Sequence, residues 1–92
     1  MRKKYRSHIG VLLDILRAIE GDPEATITRI IMIANIPYTR LKGYLEKLEE
    51  RGFIRKVKTG NKVILELTDE GRKFLMYLER LSKMLKDLGF PL

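Results

Sequence analysis

Apolar residues recur at intervals of three and four along the first third of the chain, which is the spacing of one face of an α-helix. This spacing predicts a first helix from about Tyr5 to Glu20, ended by Gly21-Asp22-Pro23. A second predicted helix runs from about Thr26 to Ala34, with Thr26 or Asp22 as its cap. Its apolar content predicts a largely buried helix, and the isoleucines concerned are Ile27, Ile30, Ile31 and Ile33.

A turn is predicted at Asn35-Ile36-Pro37. Asparagine tolerates the left-handed conformation that often ends a helix, and proline suits the first turn of the next one. Ile36 is expected to enter the core between the two helices. A third helix is predicted from about Tyr38 to Arg51, with Gly52 ending it.

Two strands are predicted next, at Phe53–Lys58 and Lys62–Leu67, joined by a turn at residues 59–61 into a hairpin. Thr68 is expected to cap a last helix, which carries acidic residues in its first turn and runs to about Leu88. The predicted order is helix, helix, helix, strand, strand, helix, so the fold class is α+β.

The net charge of +7 is unevenly distributed along the 92 residues. Residues 1–8 carry four basic and no acidic side chains, and residues 29–62 carry nine basic against three acidic ones. The last thirty residues are balanced. Because the positive charge coincides with the third helix and the hairpin, we expect a polyanionic partner, double-stranded DNA, rather than a generally basic surface.

The third helix has two faces at 100° per residue. Its leucines form the expected core side, namely Leu41, Leu45 and Leu48. The opposite side is expected to enter a major groove, with Arg40 as the base-reading residue because its fork matches guanine O6 and N7. The residues assigned to DNA on this helix are Tyr38, Thr39, Arg40, Lys42, Gly43 and Lys47. For Lys47 the alternative, and the preferred interpretation, is an ordinary solvated face with i,i+4 pairs.

Gly43 is unusual because glycine in a helix interior costs about 1 kcal/mol relative to alanine. One interpretation is that it lets the helix backbone approach DNA closely; the other is that glycine is merely tolerated on an outward face. The second half of the helix carries Glu46, Glu49 and Glu50. Since carboxylates repel phosphates, only the first two turns are expected to enter the groove.

The hairpin and the N-terminal arm supply the remaining cations assigned to DNA: Arg55, Lys56, Lys58 and Lys62, and Arg2, Lys3 and Lys4. Lysine suits phosphate contacts as a point charge. Lysines on edge strands also deter aggregation, which is the alternative for the hairpin. The arm, expected to be disordered without DNA, could enter a minor groove or remain a solvated tail.

The last helix carries an a/d pattern of nearly three heptads, formed by Phe74, Leu78, Leu81, Leu85 and Leu88. Its distal part projects beyond so small a domain. We therefore predict a homodimer through this helix, with folding back over the monomer as the alternative. This divides the chain into residues 1–68, the DNA-binding unit with its arm, and residues 69–92, the dimerisation helix.

The segment LEKLEERGFI at residues 45–54, followed by LTDEG at residues 67–71, resembles the winged helix-turn-helix superfamily. The whole chain is most similar to small archaeal members that dimerise through a C-terminal coiled coil. The resemblance implies a winged helix-turn-helix fold with a coiled-coil-like last helix. It also implies a role as a transcription regulator or as a chromatin-associated protein.

Three functions therefore remain in view. The first is a DNA-binding transcription regulator, the second a non-specific architectural chromatin protein, and the third a winged-helix protein–protein module. An exposed apolar residue on the hairpin, expected at Ile64, keeps the third open.

No catalytic residue, metal site or cofactor is predicted, because cysteine is absent and His8 is the single histidine. No membrane-spanning run is present, and a cytoplasmic, nucleoid-associated location is expected. No effector pocket is evident.

Overall fold

A computed structural model describes residues 7–90 of the chain. In order along the sequence they form α1 (His8–Glu20), α2 (Ile27–Ala34), α3 (Tyr38–Glu50), β1 (Ile54–Thr59), β2 (Lys62–Leu67) and α4 (Asp69–Asp87). The predicted element order and the α+β class are confirmed. Arg2, Lys3 and Lys4, and with them the predicted arm, lie outside the described residues. None of the described helices is long and apolar enough to cross a bilayer.

One apolar core joins all six elements. Its fully buried side chains come from α1, α2, α3 and the hairpin, and the largest are Val11, Ile15, Leu16, Ile30, Leu41 and Leu65. Ile36, in the turn between α2 and α3, is also buried, as predicted. Within the described residues, no polar or charged side chain is buried. The core is therefore held together by apolar burial, the dominant favourable contribution to folding.

A threonine begins α2, as the sequence predicted. The hydroxyl of Thr26 accepts a hydrogen bond from the amide of Arg29 at 3.3 Å, which makes Thr26 the cap of α2. At its other end, Asn35 adopts the predicted left-handed conformation with φ 53°. These caps satisfy backbone groups that have no partner inside the helix, and so fix where α2 begins and ends.

The hairpin is antiparallel, and its register pairs Ile54 with Leu67 at the base and Thr59 with Lys62 at the tip. The turn therefore contains two residues, Gly60 and Asn61, with Gly60 at φ 61°. A second contact holds the base of the hairpin, because the Leu65 amide donates to the carbonyl oxygen of Ala25 at 2.9 Å. The hairpin is thus bound on its β2 side to the loop between α1 and α2.

The Thr68–Gly71 segment fastens the start of α4 to the end of α3. The Thr68 hydroxyl donates to the carbonyl oxygen of Gly52 at 2.6 Å and accepts from the Gly71 amide at 3.0 Å. Close by, the Phe53 and Phe74 rings stack at a centroid distance of 4.4 Å. Residues 51–53 and residues 67–71, which are apart in the sequence, therefore form one junction between α3 and α4.

Two predictions of exposure are wrong. Ile64 is 6% exposed instead of lying free on the hairpin, and its neighbour Val63, at 41%, is the exposed apolar residue. Helix α2 is also less buried than its composition suggested, because Ile33 is exposed together with Met32. With only eight residues, α2 turns Ile30 and Ala34 fully towards the core and leaves the opposite face in solvent.

Candidate nucleic-acid interface

The first half of α3 presents a polar, cationic face to solvent. Tyr38, Thr39, Arg40 and Lys42 are all exposed, while Leu41 between them is fully buried. Gly43 is half-buried, and a Cβ built on it would meet nothing within 4 Å. The absence of a side chain here is therefore not required by packing within the protein.

The second half of α3 is acidic on its exposed side. Glu46, Glu49 and Glu50 are all exposed there. One of them is paired, since Glu49 Oε1 lies 3.6 Å from Lys56 Nζ on β1. The charge of the helix therefore changes along its axis, with cations towards its start and carboxylates towards its end. That only the first turns of α3 approach a polyanion remains a prediction, and it depends on this gradient.

Three of the four hairpin cations assigned to DNA already have carboxylate partners. In addition to the Lys56 pair, Arg55 lies 3.2 Å from Glu66 across the hairpin, and Lys62 lies 3.4 Å from Glu24 in the α1–α2 loop. All these side chains are substantially exposed, so each ion pair contributes only about 0–1 kcal/mol to stability. Each cation can therefore exchange its carboxylate partner for a phosphate.

Lys58 differs from the other hairpin cations, because among the described residues it has no carboxylate partner. It is exposed near the tip of β1, opposite Val63. Arg40, Lys42 and Lys47 on α3 are likewise outside the ion pairs of the described chain. These four side chains, together with Thr39 and Gly43, form the part of the predicted interface that a polyanion can reach without breaking an existing pair.

A cavity of about 680 Å³ opens beside this interface, between α3 on one side and the start of α1 and of α4 on the other. Its apolar walls come from Leu12, Leu48, Phe53 and Phe74. Its remaining lining comes from His8, Arg40, Gly43, Tyr44, Lys47 and Arg51. We call this cavity the α3 groove. Arg40, Gly43 and Lys47 thus belong both to the groove and to the predicted DNA-facing surface.

The sequence-based assignment did not include Arg51, Tyr44 or His8. For Tyr44 and Arg51 the signal lies in helical spacing. Arg40, Tyr44 and Lys47 recur at intervals of four and three on one side of α3, and Arg51, the residue after the helix, continues the spacing. His8 comes from 36 residues earlier, and its Nδ1 lies 2.8 Å from the Tyr44 hydroxyl. That contact joins two distant parts of the chain, which helical periodicity alone does not reveal.

The predicted dimerisation residues on α4 fall into two groups. Leu78 is buried in the monomer and Phe74 is half-buried against Phe53, whereas Leu81 and Leu88 are 40% and 70% exposed. Leu85 is half-buried. Four exposed apolar residues follow a neighbouring line, formed by Tyr77, Leu81 and Met84 on α4 and by Leu88 directly after it, which we call the α4 stripe. The side of α4 that carries Phe74 and Leu78 thus packs on the core, and the α4 stripe is left in solvent.

A family model described as winged helix-turn-helix matches residues 5–86, which is nearly the whole chain. Among curated proteins no significant match is found.

Solved structures provide further relatives. Sso10a-2, a DNA-binding protein from Sulfolobus solfataricus, is 29% identical with a TM-score of 0.81, covering 90% of this chain and 85% of its own. The transcriptional repressor CouR, bound to a 23-mer DNA duplex, is 26% identical with a TM-score of 0.69, covering 77% of this chain and 52% of CouR. The transcriptional regulator BldR from Sulfolobus solfataricus is 21% identical with a TM-score of 0.67, and the match covers 84% of this chain and 60% of BldR. At this identity the similarity supports the fold alone.

Proposed function

Since this chain belongs to the winged helix-turn-helix family, we propose that it is a double-stranded DNA-binding transcription regulator. The observation that carries the proposal is the set of unpaired cations described above. Arg40, Lys42 and Lys47 on α3 and Lys58 on the hairpin lie on the two elements that a winged helix presents to a duplex. The similarity to a DNA-binding protein, Sso10a-2, over 90% of the chain supports it.

In the proposed complex the start of α3 enters the major groove, which is wide enough for one helix. Arg40 reads a guanine edge, and Thr39 contacts a thymine methyl group or a phosphate. Lys58 at the hairpin tip contacts the backbone beside the groove, where a point charge is sufficient. Lys56, Lys62 and Arg55 exchange their carboxylate partners for phosphates. Arg2, Lys3 and Lys4 add further backbone or minor-groove contacts.

We also propose that two copies pair through α4. The α4 stripe exposes four large apolar side chains on one line, which is unfavourable in water unless a second surface covers it. Residues 69–92 would then be the dimerisation segment and residues 1–68 the DNA-binding unit. A two-fold dimer presents two α3 helices to half-sites about one DNA turn apart. Sedimentation that gives a monomer at tens of micromolar would refute this pairing.

The first experiment is binding of the purified protein to random-sequence duplexes across a salt series, with sequencing of the retained DNA. A transcription regulator enriches a motif, and a dimeric one enriches a motif with two-fold symmetry. Binding that falls steeply with salt and enriches no sequence favours the architectural chromatin protein instead. Absence of binding even at low salt refutes both, and favours a protein–protein module that uses the exposed Val63.

One variant and its control test the base-reading contact within the same experiment. Arg40→Ala should change which sequences are enriched, because it removes a base contact. Lys83→Ala, on α4 and away from the interface, serves as the matched control for loss of one positive charge. If Arg40→Ala weakens binding to every duplex equally, Arg40 contacts a phosphate and the base-reading role is wrong.

The proposal assigns no catalytic role, and it places the protein on the nucleoid in the cytoplasm.

A further inference from the structure

The chain turns back directly after α4 and holds Phe90 in a defined place. Gly89 has φ 93°, the Phe90 amide donates to the carbonyl oxygen of Leu85 at 2.7 Å, and the Gly89 amide donates to that of Lys86 at 2.9 Å. These two hydrogen bonds form a Schellman motif, which commonly ends a helix. Phe90 nevertheless stays 62% exposed, and Leu88 beside it is 70% exposed. The end of α4 therefore carries apolar side chains that the described chain fixes in direction and leaves uncovered.

The α3 groove is a second uncovered apolar surface, and it lies at the opposite end of α4. Leu48 in its wall is 4% exposed, and the half-buried Leu12, Phe53 and Phe74 extend the apolar surface towards its mouth. The Phe53 and Phe74 rings are stacked 12° from parallel. Aromatic side chains favour stacked or edge-on contacts with a further ring, worth about 0.5–1.5 kcal/mol beyond the area they bury. The groove is therefore suited to one more aromatic side chain.

Phe90 cannot reach the groove of its own chain. Phe74, which lines the groove, and Asp87, where the helix ends, belong to one continuous helix. At 1.5 Å per residue the helix rises by about 20 Å between them. A second copy removes this distance if its α4 runs in the opposite direction along the first.

Pairing of two copies on the α4 stripe has two possible directions. In an antiparallel pair the stripe meets itself when Leu88 of one copy lies opposite Tyr77 of the other. Phe90, two residues beyond Leu88, then lies beside Phe74 of the second copy, at the mouth of its α3 groove. In a parallel pair the two Phe90 residues lie together, about 20 Å from either groove.

The charges beside the α4 stripe favour the antiparallel direction. Arg80 and Asp87 are two helical turns apart on the same flank of the stripe, and both are exposed. Neither makes an ion pair within residues 7–90. An antiparallel pair brings Arg80 of each copy towards Asp87 of the other, which gives two symmetric ion pairs. In a parallel pair this flank faces Leu78 and Leu85 instead, where Arg80 meets no carboxylate.

We propose that Phe90 of each copy fills the α3 groove of the other, so that each groove is completed by the second chain. The Phe90 ring contacts Phe53 and Phe74. This inference rests on the proposed pairing through α4, and it adds the direction of that pairing and the residue that crosses between the copies. Arg40 and Gly43 on α3 line the same groove. The end of α4 in one copy therefore braces α3 of the other and fixes the separation of the two DNA-facing surfaces.

Chemical cross-linking tests the contact, because the chain has no cysteine of its own. Phe90→Cys is mixed with Gly43→Cys, a position in the groove where a Cβ meets nothing within 4 Å, for long enough to exchange subunits. A short bis-maleimide reagent should join the two variants, as identified by mass spectrometry of the linked peptides. Phe90→Cys mixed with Met32→Cys, exposed on α2, should give no such product. If Phe90→Cys links mainly to itself, the pair is parallel and the inference is wrong.

Sedimentation equilibrium measures how much Phe90 contributes to pairing. Phe90→Ala should raise the dissociation constant of the dimer at least about tenfold, because it removes a buried ring. Met76→Ala is the matched control, since Met76 is also 62% exposed but lies on α4 outside the stripe, and it should leave the constant unchanged. Equal effects of the two variants would overturn the role of Phe90.

The outcomes separate this inference from the proposals on which it builds. A wild-type protein that is monomeric at tens of micromolar refutes the pairing through α4 and this inference together. A dimer in which positions 43 and 90 do not link keeps the pairing and overturns only the inference. Neither measurement includes DNA, so a failure to bind any duplex would refute the proposed function and leave the groove contact standing.

Discussion

The backbone of Gly71 lies directly against the carbonyl group of Phe53, so that a Cβ at position 71 would overlap the carbonyl oxygen. Gly71 is buried in the first turn of α4, and Phe53 follows the end of α3. The Thr68 amide donates to the same Phe53 carbonyl at 3.0 Å. The last helix can reach its position in the core because residue 71 has no side chain.

We predict that Gly71→Ala destabilises the protein although alanine is the better helix former. The added methyl group must displace a backbone carbonyl, which in a packed interior costs about 1–3 kcal/mol of unfolding free energy. Gly43→Ala is the control, because a Cβ there meets nothing and the change should raise stability by up to about 1 kcal/mol. Urea unfolding measures both, and a neutral Gly71→Ala would show that α4 shifts freely.

Thr68 should be required for its hydroxyl and not for its shape. Thr68→Val removes the cap of α4 and the donor to the Gly52 carbonyl, and is expected to lower the unfolding free energy by about 1–2 kcal/mol. Thr68→Ser keeps the hydroxyl and should stay within about 0.5 kcal/mol of the wild type. Thermal unfolding distinguishes the two, and a loss for Thr68→Ser with none for Thr68→Val would assign the effect to the methyl group and contradict the prediction.

Lys58 should contribute more to DNA binding than Lys62, although both lie at the hairpin tip. Lys58 has no carboxylate partner within the described chain, whereas Lys62 must give up its pair with Glu24. Lys58→Ala is expected to weaken binding to all duplexes and to lower the slope of log K against log salt by about one unit. Lys62→Ala should lower it by less. Fluorescence anisotropy of a labelled duplex, measured over a series of salt concentrations, gives the slope for each variant. Equal slopes for Lys58→Ala and Lys62→Ala would contradict the prediction.

Gly43→Ala separates close approach of DNA from the needs of the fold. Because open space surrounds a Cβ at this position, any loss of DNA affinity arises in the complex and not in the free protein. We expect weaker binding by a variant that is more stable than the wild type. Affinity that stays unchanged in a duplex titration would mean that glycine is merely tolerated on this face.

Asp22 should make stability depend on pH below about 4. A hydrogen bond from the Glu24 amide, and then the Arg29 side chain, lower the pKa of Asp22 from its ordinary value. A carboxyl group whose pKa is lower in the folded state stabilises the fold above its unfolded pKa, and this contribution disappears as pH falls through the folded pKa. Asp22→Asn should therefore be less stable than the wild type at neutral pH, and the difference should shrink as the pH falls below about 4. A constant difference between the two across this range would contradict the assignment.

Features set by local chemistry were predictable from the sequence. Thr68 and Thr26 begin helices because a hydroxyl next to a free amide needs no information from elsewhere in the chain, and Asn35 ends a helix for a similar reason. Which apolar side chains are buried and which are exposed was harder to predict, because it depends on contacts with other parts of the chain. Ile64 was expected in solvent, and the hairpin buries it instead.

Contacts between distant segments were the least predictable. The pair of Lys62 with Glu24 joins positions 38 residues apart, and the contact of His8 with Tyr44 joins positions 36 apart. The α3 groove depends on such contacts, because its walls come from three helices, α1, α3 and α4, and from the connection between α3 and β1. On α4, the heptad pattern correctly marked an apolar side, but it could not tell that Leu78 belongs to the monomer core while Leu81 lies in solvent.

The hydrogen bond from Leu65 to Ala25 makes one amide a reporter of hairpin motion. Leu65 lies on β2, and its amide donates to the α1–α2 loop, so its exchange with solvent hydrogen requires the hairpin to separate from the helices. We expect this amide to exchange as slowly as amides of the core. The hairpin base and the helical body should therefore move as one unit, and exchange at Leu65 gives the free energy of separating them.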